Sequence, residues 1–378
     1  MIQLLIKPAS GMCNLRCSYC FYCDEMKNRK TQNYGFMSEK TLENLVKRAF
    51  ENEKEFCGFA FQGGEPTLCG LDFFEKFIAL EKKYNVGKIS VFHSIQTNGF
   101  ALSEKWADFF VRNEFLVGVS LDGMRATHDT YRKAMNGKGS FESILDTISL
   151  FERKGVSFNI LTVVNAITAK NISSIYSFYK ERGWNYFQFI PCLDPLMEKQ
   201  GIRNYSLKPE IYGEFLVKLF ELWYADVKKG KMPYIREFEN YIGMLLGYEP
   251  ELCSQRGHCS IQLVVEADGS VYPCDFYVTD KYNMGNIENY SINELRRRGL
   301  ELGFVQESMK KPRECMECPY GFLCRGGCRR MCVVDSKGNI GINYFCKSYK
   351  QLFEATLPRF KELARLAYQR MRNYNFQK

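Results

Sequence analysis

The chain has 378 residues, 46% apolar and 15% aromatic, enough for one large domain plus a smaller one around a sizeable core. No apolar run approaches a membrane span, and the N-terminus has no basic n-region, long h-region or cleavage site, so the expected location is the cytoplasm, with no membrane partner. The net charge of +9 suits an acidic partner, but Arg296-Arg297-Arg298 and the tail around Arg365, Arg370 and Arg372 read as solvated helix faces, so nucleic acid is not expected.

Short β-like runs alternate with amphipathic helical stretches as far as Ile190. The strands are expected at Leu4–Ile6, Gly58–Phe61, Ile89–Ile95, Leu116–Leu121, Phe158–Val164 and Tyr186–Ile190. Helices are expected at Lys40–Phe50, Leu71–Tyr84, Glu104–Val111, Phe141–Lys154 and Asn171–Arg182, with Ser38, Ser103 and Ser140 as N-caps of three of them. Such alternation predicts an α/β fold with a parallel sheet and right-handed crossovers. Six units fit a partial (β/α)6 barrel better than a closed eight-fold one. Helical segments from Tyr212 to Lys229 and from Phe238 to Leu246 bridge to a cysteine-rich region, and a last amphipathic stretch runs from Tyr349 to Met371. The expected division is therefore 1–230 for the barrel with its bridging helix, 231–348 for the cysteine-rich domain, and 349–378 for a helix packing back on the body.

Sixteen cysteines under reducing conditions point to metal or redox chemistry rather than disulfides. Only three histidines are present (His93, His128, His258), too few for an imidazole-rich site, so a general base would have to be a carboxylate. Three thiols, Cys13, Cys17 and Cys20, lie within eight residues just after the first strand. They can hold three corners of a cubane iron–sulfur cluster and leave one iron open, where four ligands are usual. Zinc is the rival, because it wants four ligands and Cys23 could complete such a set.

Chemistry in a parallel α/β sheet sits at the carboxyl ends of the strands. Gln62-Gly63-Gly64-Glu65-Pro66, Gln96-Thr97-Asn98-Gly99, Ser120-Leu121-Asp122-Gly123 and Cys192-Leu193-Asp194-Pro195 all fall there. In the last third, Cys259 and Gly269-x4-Cys274 precede Cys315-x2-Cys318-x5-Cys324-x3-Cys328 and Cys346, with Cys253 just upstream. Eight thiols suffice for two fully ligated clusters, although Cys315-x2-Cys318 would also suit a zinc ribbon. Spacing alone does not pair them. Cys57 and Cys69 read as small apolar core residues. Cys192 is placed at the barrel mouth, and Cys332 is close enough to Cys328 to be confused with it as a ligand.

The C-x3-C-x2-C loop closed by an aromatic, followed one strand later by Gly-Gly-Glu-Pro, resembles the radical S-adenosylmethionine superfamily. The later cysteines resemble its SPASM pattern. Leu4-Leu5-Ile6-Lys7-Pro8-Ala9-Ser10, the run Phe59 to Leu68, Tyr205-Ser206-Leu207-Lys208-Pro209 and the run Val264 to Tyr277 narrow the resemblance to anaerobic sulfatase-maturating enzymes, across nearly the whole chain. Met331, between Arg330 and Cys332, departs from the Arg-Arg-Cys often read there.

The resemblance implies S-adenosylmethionine and three [4Fe–4S] clusters. Tyr19, Gly63, Gly64, Glu65, Ser120, Arg132 and Leu193 take the cofactor-contacting positions. By the same precedent one auxiliary cluster falls to Cys253, Cys259, Cys274 and Cys328, the other to Cys315, Cys318, Cys324 and Cys346. The implied reaction is oxidation of the cysteine or serine of a sulfatase Cys/Ser-x-Pro-x-Arg segment to Cα-formylglycine. The implied base is Asp275, which could instead serve only to hold its turn. A sulfatase polypeptide and a flavodoxin- or ferredoxin-like donor are the expected partners of a monomer. The rival enzyme is a SPASM peptide maturase forming thioether or carbon–carbon crosslinks, which commonly has an extra N-terminal domain for which there is no room before Cys13. The rival of another class is a cluster-bearing electron carrier.

Overall fold

The computed structural model describes residues 2–51, 53–335 and 339–375, so the last three residues of the expected C-terminal stretch lie outside the described residues. The chain packs as two compact units, each discontinuous in sequence. One comprises Met1–Leu161, Pro195–Met197 and Ser260–Phe304, the other Thr162–Asp194, Glu198–Cys259 and Val305–Lys378.

All six expected strands form: β1 (Ile2–Lys7), β2 (Phe56–Phe61), β3 (Ser90–Thr97), β4 (Leu116–Ser120), β5 (Phe158–Val164) and β6 (Tyr186–Pro191). In the first unit β1 to β5 pair in parallel with their sequence neighbours. One face of each strand is buried under helices, and along β3 and β5 buried residues alternate with less buried ones. Helices α1 (Phe21–Lys27) and α2 (Glu39–Phe50) link β1 to β2, and α3 (Leu71–Tyr84) and α4 (Glu104–Arg112) make the next two crossovers. Phe59, Phe61 and Phe77 fill the layer between sheet and helix, with Phe61 and Phe77 centroids 4.9 Å apart.

The caps divide. Ser38 accepts from the Thr41 amide and starts α2 as expected. Ser103 and Ser140 precede their helices without capping them through the side chain. The Ser140 hydroxyl instead donates to the Arg132 carbonyl, 3.0 Å, and lies 3.0 Å from His128 Nε2. The Ser140 backbone, at φ −110 and ψ −5, is not in the extended conformation that turns an N-cap side chain toward the first free amides.

The sequence did not disclose that the sheet continues on the far side of β1. After β7 (Tyr234–Ile235) come three short strands, β8 (Val264–Glu266), β9 (Ser270–Tyr272) and β10 (Gly285–Asn286). Strand β8 pairs in parallel with β1, placing Leu5 opposite Val264 and Lys7 opposite Glu266. Strand β9 turns back on β8, and β10 on β9. The turn after β9 sets the Asp275 carboxylate against Tyr22, two residues past Cys20, and Gln62, the residue after β2.

The second unit holds β6 and β7, paired in parallel, and the long helix Pro209–Lys228 against the C-terminal helix Cys346–Asn375. Phe220 and Phe360 meet at 4.6 Å, and Arg359 pairs with Glu221 at 2.6 Å. Among the described residues no helix is long and apolar enough to cross a membrane.

Candidate active site

In the first unit the loop after β1 holds Cys13, Cys17 and Cys20, all partly exposed. Backbone bonds from Arg16 to the Lys133 carbonyl, 2.7 Å, and from Ser18 to that of Tyr131, 3.0 Å, fix its course. Two of the sulfurs are met by donors. The Leu15 amide and Asn98 Nδ2 lie 3.4 and 3.5 Å from Cys13 Sγ, and Arg132 Nη1 lies 3.7 Å from Cys17 Sγ. Arg132 is held in turn by Asp122, 3.2 Å from its Nε, and Asp122 also accepts from the Tyr19 hydroxyl. Burial pushes Cys13 up to about 11 and Cys17 up to about 12, while a hydrogen bond from Cys23 lowers Cys20.

The segment after β2 lies against this loop. The Gly64 amide bonds the Ser10 carbonyl at 2.8 Å, and the Glu65 amide bonds that of Met12 at 2.7 Å. Gly63 has φ +114, and a Cβ on Gly64 would sit 2.0 Å from the Met12 carbonyl oxygen, so only glycine permits this approach. The Glu65 carboxylate is fully engaged: Oε2 accepts from the Asn98 amide, 2.7 Å, and Oε1 from Thr67 and from the Thr97 hydroxyl, 2.9 Å. It locks the ends of β2 and β3 together, leaving the main chain of this loop to meet a ligand. Ser120 accepts from Gln96 Nε2 at 2.9 Å.

Asp275 is buried, and its Oδ2 accepts from the Tyr22 hydroxyl and from Gln62 Nε2, each at 2.8 Å. Among the described residues Oδ1, also buried, has no hydrogen-bond partner. Burial raises the Asp275 carboxyl, opposed by the nearby Lys7 ammonium and these hydrogen bonds. Tyr22 and Gln62 were not singled out from the sequence. Their signal was position, two residues after Cys20 and immediately before Gly63.

A fully buried ionic cluster adjoins this group. Lys7 Nζ is 2.6 Å from Glu25 Oε2 and 2.9 Å from Glu266 Oε1, and Arg29 Nη1 is 2.6 Å from the same Glu266 oxygen. A lysine closing the apolar run Leu4-Leu5-Ile6 was the only sequence hint. Lys7→Ala would leave two carboxylates with one cation between them. It is expected to cost roughly 3–5 kcal/mol, read as a lowered anaerobic Tm. An unchanged Tm would show that this cluster is not what holds the β1 edge.

Of the nine cysteines in the second unit, Cys253, Cys259 and Cys332 lie near Cys328 and help burial raise it to about 12. Cys315, Cys318 and Cys346 likewise help burial raise Cys324 to about 11. The Cys259 amide donates to Ser308 Oγ at 2.8 Å, and the Arg330 amide to Cys328 Sγ at 3.4 Å. The buried Cys332 thiol points back to the Cys328 carbonyl, 3.4 Å. Leu193, in the loop after β6, is half-buried. Among the described residues no three His, Cys, Asp or Glu side chains converge as ligands of a single ion would.

Residues 8–178 match the Radical SAM superfamily, and residues 253–319 match the SPASM iron–sulfur cluster-binding domain. The architecture is thus the α/β partial barrel of radical S-adenosylmethionine enzymes with a C-terminal SPASM region. The chain is 46% identical to the cysteine-type anaerobic sulfatase-maturating enzyme of Clostridium novyi, covering 97% of this chain and 98% of that one. It is 32% identical to the serine-type enzyme of Bacteroides thetaiotaomicron, covering 94% and 90%. The solved structure of native anSMEcpe with bound AdoMet and Cp18Cys peptide matches it with a TM-score of 0.92 at 43% identity, covering 97% and 99%. This chain belongs to the anaerobic sulfatase-maturating enzymes.

Proposed function

We propose that the protein oxidises the cysteine of a sulfatase Cys-x-Pro-x-Arg segment to Cα-formylglycine. Serine is the alternative residue, and cysteine is favoured by identities of 44–46% to cysteine-type relatives against 28–32% to serine-type ones. One observation carries the reading at the level of chemistry. A single compact unit contains both a three-thiol loop and a buried carboxylate with an unpartnered oxygen.

The residues fit the implied cofactors. Three thiols with N–H donors at two of their sulfurs suit a cluster lacking a fourth protein ligand. Gly63 and Gly64 bring the main chain of this segment against the three-cysteine loop, where it would hold the methionine moiety of S-adenosylmethionine. When bound and reduced, this pair supplies a 5′-deoxyadenosyl radical that takes a hydrogen atom from the substrate β-carbon. Cys13, Cys17 and Cys20 hold the cluster, and Tyr19, Gly63, Gly64, Glu65, Ser120, Arg132 and Leu193 form the cofactor site, with Glu65 acting by shaping its loop. Asp275 takes the thiol proton on Oδ1, while Tyr22 and Gln62 fix Oδ2. An auxiliary cluster held by the later cysteines would supply the acceptor for the second electron, and the thioaldehyde left on the substrate would be hydrolysed by water with loss of hydrogen sulfide.

We assign Cys253, Cys259, Cys274 and Cys328 to one auxiliary cluster, and Cys315, Cys318, Cys324 and Cys346 to the other. Cys253 and Cys259 near Cys328, and Cys315, Cys318 and Cys346 near Cys324, support this grouping, while Cys332, near Cys328, Cys259 and Cys315, stays outside it. We retain the division 1–230, 231–348 and 349–378 as the functional one. A cytoplasmic monomer served by a flavodoxin- or ferredoxin-like donor, with neither nucleic acid nor membrane as partner, completes the proposal. The sixteen thiols support the reducing compartment, and the net charge of +9 supports an acidic electron donor.

Anaerobic incubation of the reduced protein with a Cys-x-Pro-x-Arg peptide and with its serine counterpart tests the function. Formylglycine from the cysteine peptide, formed faster than from the serine one, is expected. A thioether or carbon–carbon crosslink would establish the peptide-maturase alternative instead. Gly64→Ala should weaken S-adenosylmethionine binding by about tenfold or more, since the added methyl must displace the Met12 carbonyl at the mouth of the three-cysteine loop. Equilibrium binding checks this, and wild-type affinity would show that the ligand lies elsewhere.

A further inference from the structure

The turn that carries Asp275 is short, and a single backbone bond, from the Tyr277 amide to the Cys274 carbonyl at 3.0 Å, closes it. Residues Asp275–Tyr277 form one 3-10 turn, and the next amide, that of buried Val278, would ordinarily bond back into it. That amide donates instead to Glu25 Oε1, 3.1 Å away. The other oxygen of Glu25 accepts from Lys7 Nζ at 2.6 Å. Glu25 lies on α1 three residues after Tyr22, whose hydroxyl holds Asp275 Oδ2 at 2.8 Å. Lys7 also lies 4.9 Å from the centre of the Tyr22 ring. Glu25 is 6% exposed and Val278 fully buried, so water does not substitute for this bridge.

We propose that Glu25 is a positioning residue for Asp275, clamping the turn that bears the carboxylate to the helix that bears its partner Tyr22. The proposal rests on the reading of Asp275 as the proton acceptor. A base must lie within hydrogen-bond reach of the proton it takes, so a small displacement of the turn uncouples radical formation from product.

The measurement is formylglycine formed per 5′-deoxyadenosine released, on iron-loaded holoenzyme with the cysteine peptide. Glu25→Ala is expected to lower this ratio roughly 10- to 100-fold. Glu25→Gln retains an acceptor for the Val278 amide and should restore much of it. Glu25→Leu removes the clamp with the side-chain volume kept, and Lys7 stays paired with Glu266 at 2.9 Å and beside Asp275. It is the arm to read if Glu25→Ala does not accumulate folded, and it too should be uncoupled. A wild-type ratio in either clamp-less variant overturns the proposal. So does loss of iron with both products falling in proportion, which assigns Glu25 to folding alone. Asp275→Asn run in parallel separates the two readings. If it lowers the ratio and the Glu25 variants do not, only the positioning role fails; if it does not, the base assignment fails first.

Discussion

Asp275→Asn is expected to cut formylglycine formation by roughly two to four orders of magnitude while S-adenosylmethionine is still cleaved. The amide keeps the size of the side chain and a carbonyl acceptor for the Tyr22 hydroxyl, but it has no basic oxygen for the substrate proton. The unpartnered Oδ1 is the atom at issue, because Oδ2 is already occupied by Tyr22 and Gln62. Burial works in the same direction by raising the carboxyl toward the range useful to a base. Iron must be counted alongside, since Cys274 is the preceding residue. Near-normal product with intact clusters would remove Asp275 from the chemistry. Loss of iron and cleavage together would make it a holder of its turn.

Replacing Cys13, Cys17 and Cys20 together by alanine should abolish 5′-deoxyadenosine release. The remaining cysteines should still assemble their clusters, so iron is expected to fall from roughly twelve atoms per chain to about eight. The separation is physically reasonable because seven of those eight thiols belong to the second unit. Persistent cleavage would put the radical chemistry on the wrong cysteines. Wild-type protein that saturates near four irons, or takes up stoichiometric zinc, would contradict the auxiliary clusters.

The barrel strands were legible because each is a short run of β-branched, aromatic and apolar residues, bounded by polar loops and followed by a helix with a clear stripe. Leu71–Tyr84 and Phe141–Lys154 end where the pattern ends. Strands β8 to β10 were not legible as sheet. They are two or three residues long, and β8 finds its partner in β1, at the opposite end of the sequence. No periodicity reports such a pairing. The site followed the same rule. The thiols and glycines announced themselves by type and spacing, and the family likeness drew attention to Asp275. Its supports did not, because Tyr22, Gln62, Glu25 and Lys7 are ordinary residues that gain meaning only when β8 and β9 bring residues 264–278 against β1 and α1. Glu65 shows the converse, a motif carboxylate whose oxygens are taken up by Thr67, Thr97 and Asn98.

The account stands most directly on where the hydrogen atom goes. A peptide with deuterium at both β-positions of its target cysteine, incubated anaerobically with the reduced enzyme and unlabelled S-adenosylmethionine, should yield 5′-deoxyadenosine carrying one deuterium for each formylglycine formed, with the other kept on the aldehyde. Formylglycine accompanied by unlabelled 5′-deoxyadenosine would contradict abstraction from the β-carbon, and with it the placement of Asp275 beside that carbon as the base.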